Sequence, residues 1–280
     1  MKRPDSILEA VQFAKQKLKI VTDVPMLEAE ILLAHALHTT REMLHAYSEN
    51  KMNLDEQASF EKMLARRLCQ EPIAYITGHC AFWSLNLTVN SFTLIPRPET
   101  ELLVECVLAF LGNHVCIADI GTGCGAIALA LASEQPSWEI YATDKSSQAL
   151  AVAKKNAEHL GLGQVIFLEG DGCIALPKHK LFDAIISNPP YLSMKEWEYY
   201  GQNLSFEPKG ALLAGPSGLE IIQLLIAQSK SYLKRGGYIF LEHGFAQKEQ
   251  VQHLLEEAGY HDIESFKDLA QHHRVMKGVF

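Results

Sequence analysis

His114-Val115-Cys116-Ile117-Ala118-Asp119-Ile120-Gly121-Thr122-Gly123-Cys124-Gly125 passes from an unbroken apolar run into alternating glycines. The helix-forming Ala126–Glu134 follows. The short apolar run predicts a strand buried on both faces. Glycines at its end let the backbone turn sharply and approach a ligand that a Cβ would repel. The spacing is G-x-G-x-G, not the G-x-G-x-x-G of dinucleotide sites, and no Lys follows it as in a phosphate-gripping loop. A ligand without phosphates fits such a loop.

Outward from this unit, strand-like and helical patterns alternate. Strands are predicted at 114–120, 139–143, 165–169, 184–187, 238–242, 263–266 and 274–280. Helical periodicity falls at 101–111, 126–134, 147–160, 218–233 and 247–258. Near-continuous apolar strands joined by helices predict an α/β fold with a parallel sheet covered on both faces. The last two strands leave no room for a helix between them, so they are expected to pair antiparallel.

Residues 1–75 read as helical, with a Ser6/Glu9 capping-box pattern, Pro25 opening a second helix, a short third helix after Thr40, and Asn53 capping a fourth. No Gly precedes Gly78. From residue 73 to 95 the chain becomes β-branched and aromatic, with Asn90-Ser91 as a turn candidate, and predicts a hairpin. The expected domains are therefore a helical one over 1–75, a hairpin linker over 76–95 and the α/β domain over 96–280.

Composition narrows the function classes. Apolar residues make up 48% and charged residues 21%, as in ordinary globular chains. No apolar run reaches the roughly 18 residues that span a bilayer. Asp5 and Glu9 fall where a secretory leader carries its apolar core, so a cytoplasmic location and no membrane partner are expected. The six cysteines contain no C-x-x-C pair and the twelve histidines no H-E-x-x-H, so neither disulfides nor a metal site is expected. A net charge of -8 tilts the target away from bare nucleic acid and towards a protein or small molecule.

Two further acidic positions complete a ligand set. Asp144 ends the second strand of the α/β part, where a carboxylate can accept both hydroxyls of a ribose. Asp171, between Gly170 and Gly172, follows the third and can accept from an adenine amine. With Asp119, these three carboxylates around Gly121, Thr122, Gly123, Cys124 and Gly125 suit a cationic nucleoside. S-adenosylmethionine carries the matching sulfonium, ammonium, ribose and adenine.

Ser187-Asn188-Pro189-Pro190-Tyr191 follows the fourth strand, at a carboxyl end that faces a ligand crevice. The prolines stiffen the loop. The Asn188 side-chain oxygen and the Pro189 carbonyl can accept from one NH2 group, and Tyr191 offers a flat face for a planar amide or base. An amide nitrogen is a poor nucleophile because its lone pair is delocalised. Two acceptors on its hydrogens draw charge onto nitrogen and aim it at a methyl group, so catalysis is chiefly positioning. Asn188 also adjoins the cofactor. Arg97 and Glu101 are candidates for the lining of the site.

The chain resembles the HemK/PrmC family, the peptide chain release factor N5-glutamine methyltransferases. The resemblance covers nearly the whole chain. It runs through Glu71–Gly78, Ile95-Pro96-Arg97-Pro98-Glu99-Thr100-Glu101, the glycine loop, Asn188–Tyr191, Glu207-Pro208, Ala211-Leu212, Gly215, and Glu242-His243-Gly244 with Gln247. It implies a seven-stranded class I, Rossmann-like S-adenosylmethionine methyltransferase sheet with a small N-terminal helical domain that recognises the substrate. It implies cofactor contacts at Gly121–Gly125, Asp144 and Asp171-Gly172, and substrate contacts at Asn188, Pro189, Pro190 and Tyr191. The implied target is the glutamine of a Gly-Gly-Gln motif in class 1 release factors. Two departures stand out: Gly172 occupies a position usually aromatic, and Gln271-His272-His273 replaces a Gly-containing turn before Arg274. The same acceptor loop also suits a ribosomal-protein glutamine, or an adenine-N6 or guanine-N2 amine on a flipped base.

Overall fold

A computed structural model describes residues 5–201 and 204–280. Two compact units part at Gly78 and His79.

The first unit is helical: α1 (Ile7–Leu18), α2 (Pro25–Ala36), α3 (Arg41–Ala46), α4 (Leu54–Leu68) and α5 (Ile73–Thr77). On α1 the buried residues Ile7, Ala10, Val11, Ala14 and Leu18 recur at helical spacing and pack with Leu32, Leu33, Phe60 and Leu64. Asn53 closes a full capping box with Glu56. At α1 the box is only half made: Ser6 accepts from the Glu9 N–H, while the Glu9 carboxylate takes the N–H of Asp5 at 2.8 Å. Arg67 on α4 donates to Glu28 on α2 at 2.7 Å. No helix among the described residues is long and apolar enough to cross a membrane.

The second unit begins with a hairpin, β1 (His79–Phe82) and β2 (Leu85–Thr88), paired antiparallel. Its turn is Trp83-Ser84, not the expected Asn90-Ser91. The Trp83 N–H donates to Glu101 Oε1 and its indole N–H to Glu134 Oε1, each at 2.6 Å, which holds Trp83 at φ 56°. Asn90 instead starts a separate turn, its side chain accepting from the Phe92 N–H. Residues 73–77, expected within the hairpin, are α5.

The main body runs α6 (Glu101–Phe110), β3 (Cys116–Ile120), α7 (Ala126–Glu134), β4 (Glu139–Asp144), α8 (Ser147–Leu160), β5 (Ile166–Glu169), β6 (Phe182–Ser187), β7 (Leu192–Ser193) and α9 (Met194–Tyr200). It continues with β8 (Leu213–Gly215), α10 (Glu220–Ser229), β9 (Leu233–Glu242), α11 (Lys248–Glu257), β10 (His261–Lys267) and β11 (His273–Val279). The sheet order is β10-β11-β9-β6-β3-β4-β5, seven strands as the resemblance implied. The pairs among β9, β6, β3, β4 and β5 are parallel. β11 pairs antiparallel with both β9 and β10, as expected for the last two strands.

Helical periodicity overran the end of α10: Leu233 already pairs with Phe182, and a register shift precedes the pairing of Tyr238 with Ala184. The chain leaves β3 towards β4 on one side and returns to β6 on the other. The strand order thus reverses between the carboxyl ends of β3 and β6, where such sheets place their ligand crevice. Every residue of β3 is buried, and α7 is buried over Ala126–Ala132.

Candidate active site

The cleft at this switch point encloses about 970 Å³ including its open mouth. Gly121 and Gly123 form one wall, followed by Asp144, Lys145 and Ser146 after β4 and Gly170, Asp171 and Gly172 after β5. Asn188, Pro189 and Pro190 form the facing wall. Ile221, Leu224 and Leu225 of α10 supply an apolar side, and Phe92, Thr93 and Leu94 with Pro208, Gly210 and Ala211 complete the rim.

The glycine loop is held by its neighbours on β4. The N–H groups of Gly121 and Thr122 both donate to the Thr143 carbonyl at 2.8 Å. The Gly123 N–H donates to Asp144 Oδ2 and the Ser146 N–H to Asp144 Oδ1, each at 2.9 Å. The half-buried Asp144 carboxylate is thus fixed in place with lone pairs to spare. Gly121 and Gly123 stand at φ 75° and 59°, and a Cβ on either would meet only open space. The open cradle beside a fixed carboxylate has the room and the acceptor that a nucleoside with ribose hydroxyls needs.

Other members of the expected set lie behind the wall. Asp119 is fully buried below the loop; its Oδ2 accepts from the Thr122 hydroxyl at 2.6 Å and the Ala128 N–H at 3.2 Å. Burial pushes its carboxyl up to about 7, with the Asp144 charge adding to the effect and the Thr122 and Ala128 bonds opposing it. Thr122 and Cys124 are buried, and burial lifts the Cys124 thiol to about 12. Gly125 caps α7 at φ 90°, where a Cβ would lie 2.9 Å from the Leu129 side chain, so this glycine serves packing. The Tyr191 ring does not line the cleft. It packs on the core near Gly244, and burial lifts its hydroxyl to about 12.

Asn188 is set by two neighbours. The Ser187 hydroxyl before it donates to the Ile120 carbonyl at 2.6 Å, which ties the end of β6 to the end of β3. Its own Nδ2 donates to Thr100 Oγ1 at 3.0 Å. Gln247 clasps the far end of the loop: its Nε2 donates to the carbonyls of Tyr191 and Gly218, and its Oε1 accepts from the Gly244 N–H.

Arg97 and Glu101 stand outside the lining. Arg97 pairs with the buried Glu207 at 2.5 Å, and Glu207 also accepts from the Ile95 N–H, so the 92–97 and 207–211 parts of the rim are fastened together. Gly172 stands at φ 60°, and a Cβ there would lie 2.3 Å from Gln228 Oε1, which accepts from the Cys173 N–H. Gln228 therefore takes up the space beside the position usually aromatic.

Asn156 on α8 was not legible from the motifs. It exchanges two hydrogen bonds with the Thr88 backbone and donates to the Cys124 carbonyl at 2.9 Å, locking β2 to the glycine loop. The apolar α10 face was visible as periodicity, but its contact with the cleft was not.

Residues 9–78 match the family described as the PrmC N-terminal domain, and residues 98–205 match the methyltransferase small domain. The chain is 45% identical over 273 residues to the release factor glutamine methyltransferase of Coxiella burnetii, covering 97% of this chain and 98% of that one. It is 42% identical over 260 residues to the enzyme of that name in Escherichia coli, covering 92% and 94%. Among solved structures, the T. thermophilus 16S rRNA N2 G1207 methyltransferase, in complex with AdoMet and guanosine, aligns over 72% of this chain and 49% of that one. Its TM-score is 0.52 at 22% identity, a likeness of fold.

Proposed function

The chain belongs to the release factor glutamine methyltransferase family, and on that premise we propose that it methylates the side-chain amide nitrogen of the Gly-Gly-Gln glutamine in class 1 release factors, with S-adenosylmethionine as donor. One observation carries the assignment of roles: the acceptor loop Asn188-Pro189-Pro190 and the glycine loop with Asp144 and Asp171 face each other across one cleft. The cofactor, when bound, supplies an electrophilic methyl group on a sulfonium.

The residues of the chain do the rest. Gly121 and Gly123 leave room for the cofactor, Asp144 accepts from its ribose, and Asp171 stands at the adenine end against Ile221, Leu224 and Leu225. Asn188 Oδ1 and the Pro189 carbonyl accept the two hydrogens of the glutamine NH2. This holds the amide plane and turns the nitrogen towards the methyl carbon, a gain in orientation and in stabilised charge. Pro190 and Tyr191 fix the path of the loop. Transfer of the methyl group to that nitrogen would leave the sulfur–carbon bonding pair on sulfur. The extra proton on nitrogen then leaves to solvent. The helical first unit is assigned to recognition of the release factor.

Incubation with labelled cofactor and a panel of release factor, ribosomal protein and DNA, followed by mass spectrometry, tests this function. Label on the release-factor glutamine is expected. Label on ribosomal protein or on a base would replace it with that substrate. In the same assay Asn188→Ala is expected to lose roughly 100-fold or more in kcat, the usual cost of one preorganised partner of the reacting group. Cofactor binding by calorimetry should persist in that variant.

A further inference from the structure

We infer that Gln228 is a positioning residue for the base of the cofactor: it clasps the turn that carries Asp171 and Gly172 to α10, so that these two meet the edge of adenine at a fixed place. This role rests on S-adenosylmethionine binding in the cleft, as the proposed methyl transfer requires.

Gly170, Asp171 and Gly172 line the cleft between the end of β5 and a 3-10 turn, Gly172–Ala175. A turn this short has poor hydrogen-bond geometry and little stiffness of its own. Asp171 stands where a capping residue would, just ahead of the turn, yet makes no capping bond. Its carboxylate is therefore left for the cleft. Gly172 is the first residue of the turn, and an N–H at that place has no carbonyl within the turn to bond. An acceptor and a donor thus stand one residue apart. The edge of adenine offers the complement, an amine that donates beside a ring nitrogen that accepts.

Reading that edge requires both groups at a set distance from the ribose acceptor Asp144. Two hydrogen bonds fix them, one on each side. Towards the sheet, the Gly170 N–H donates to the Asp144 carbonyl at 3.0 Å. Towards the helix, the Cys173 N–H donates to Gln228 Oε1 at 2.8 Å. Asp171 and Gly172 are the two residues between these anchors. The first anchor is backbone on both sides. The second depends on a single side chain 55 residues further along the chain.

The helix α10 is arranged to carry that anchor. Ile221, Leu225 and Gln228 recur at i, i+4 and i+7 on one face, and Ile221 and Leu225 line the cleft. The apolar flank of the base site and the clasp on its polar turn therefore belong to one helix. The fit is close: Cys173 is fully buried, and a Cβ on Gly172 would lie 2.3 Å from Gln228 Oε1. Without that oxygen the Cys173 N–H loses its partner, a cost large enough to move the turn in search of another. Asp171 and Gly172 move with it.

Calorimetry on the unliganded full chain tests the role with two compounds. S-adenosylhomocysteine presents adenine. S-inosylhomocysteine presents a carbonyl oxygen in place of the amine and an N–H in place of the ring acceptor, so each polar group of the turn meets its like. The wild type is expected to prefer the adenine compound by roughly 10- to 100-fold, the worth of one two-point base contact. Gln228→Met keeps the length and removes the amide oxygen; its affinity for S-adenosylhomocysteine is expected to fall about 10-fold, with S-inosylhomocysteine little changed, so the preference shrinks. Gln228→Glu keeps the acceptor and should keep the preference. In methyl transfer, Gln228→Met should raise the cofactor KM and leave kcat at saturating cofactor near the wild-type value. A Gln228→Met protein that keeps the wild-type preference, including one that binds both compounds equally more weakly, would overturn the positioning role, since damage to the fold alone lowers both together. Equal affinities in the wild type would overturn it as well. A wild-type protein that binds S-adenosylhomocysteine but leaves release factor unmethylated would instead remove the proposed substrate, while the preference between the two compounds still decides the role of Gln228.

Discussion

Asp144 performs two tasks with one carboxylate. Its two oxygens hold the Gly123 and Ser146 N–H groups, and the lone pairs left over face the cleft. Asp144→Ala removes both the ribose acceptor and the pin of the glycine loop. Cofactor affinity measured by calorimetry is expected to fall about 10- to 100-fold, the worth of one or two charge-assisted hydrogen bonds; unchanged affinity would take Asp144 out of the site. Single residues were unevenly legible in the sequence. Asn188 and Asp144 announce themselves by following strands. Asp119 and Tyr191 sit in equally suggestive positions, yet one is buried under the loop and the other against the core. Strand pleat and local packing, which turn a side chain to one side or the other, decide that difference.

The loop after β6 illustrates how an element is held by parts distant in sequence. Gly218 stands at φ 84°, with the Tyr191 carbonyl 2.7 Å from where a Cβ would be. Gly218→Ala therefore meets backbone that cannot step aside and forces a strained conformation. A loss of about 1–3 kcal/mol of stability is expected in urea unfolding. A midpoint like the wild type's would mean that the loop relaxes freely. The tail turn is the reverse case. Gln271 adopts φ 65° where the family pattern has Gly, and the turn forms all the same, because Asp268 accepts from the His272 N–H at 2.9 Å and pairs with Arg274. Hydrogen bonds from its ends outweigh the cost of a left-handed residue.

Over the molecule as a whole, buried carboxylates shape stability. Asp119 and Glu242 each titrate near 7 when folded, against ordinary values near 4. As pH rises from about 4 to about 7 the unfolded chain releases these protons first, so the folded state holds more of them and its stability falls; above about 7 the penalty is constant. The urea midpoint of the unliganded protein is expected to drop between about pH 4 and about pH 7, and Asp119→Asn should flatten the drop. Equal slopes in both proteins would mean that Asp119 does not carry a raised pKa. The order of the seven strands of the main sheet and of the helices between them, the turn of the glycine loop and the place of Asn-Pro-Pro-Tyr at a strand end were readable in the chain, because each depends on neighbours a few residues apart, whereas α5 and the β7, α9 and β8 segment were not. Which side chains meet at the cleft was not. Asn188 finds Thr100 from 88 residues away, Asn156 finds Thr88 from 68, and Gln247 finds Tyr191 from 56. Such pairings follow from strand register and close packing, which exist only once the sheet has assembled.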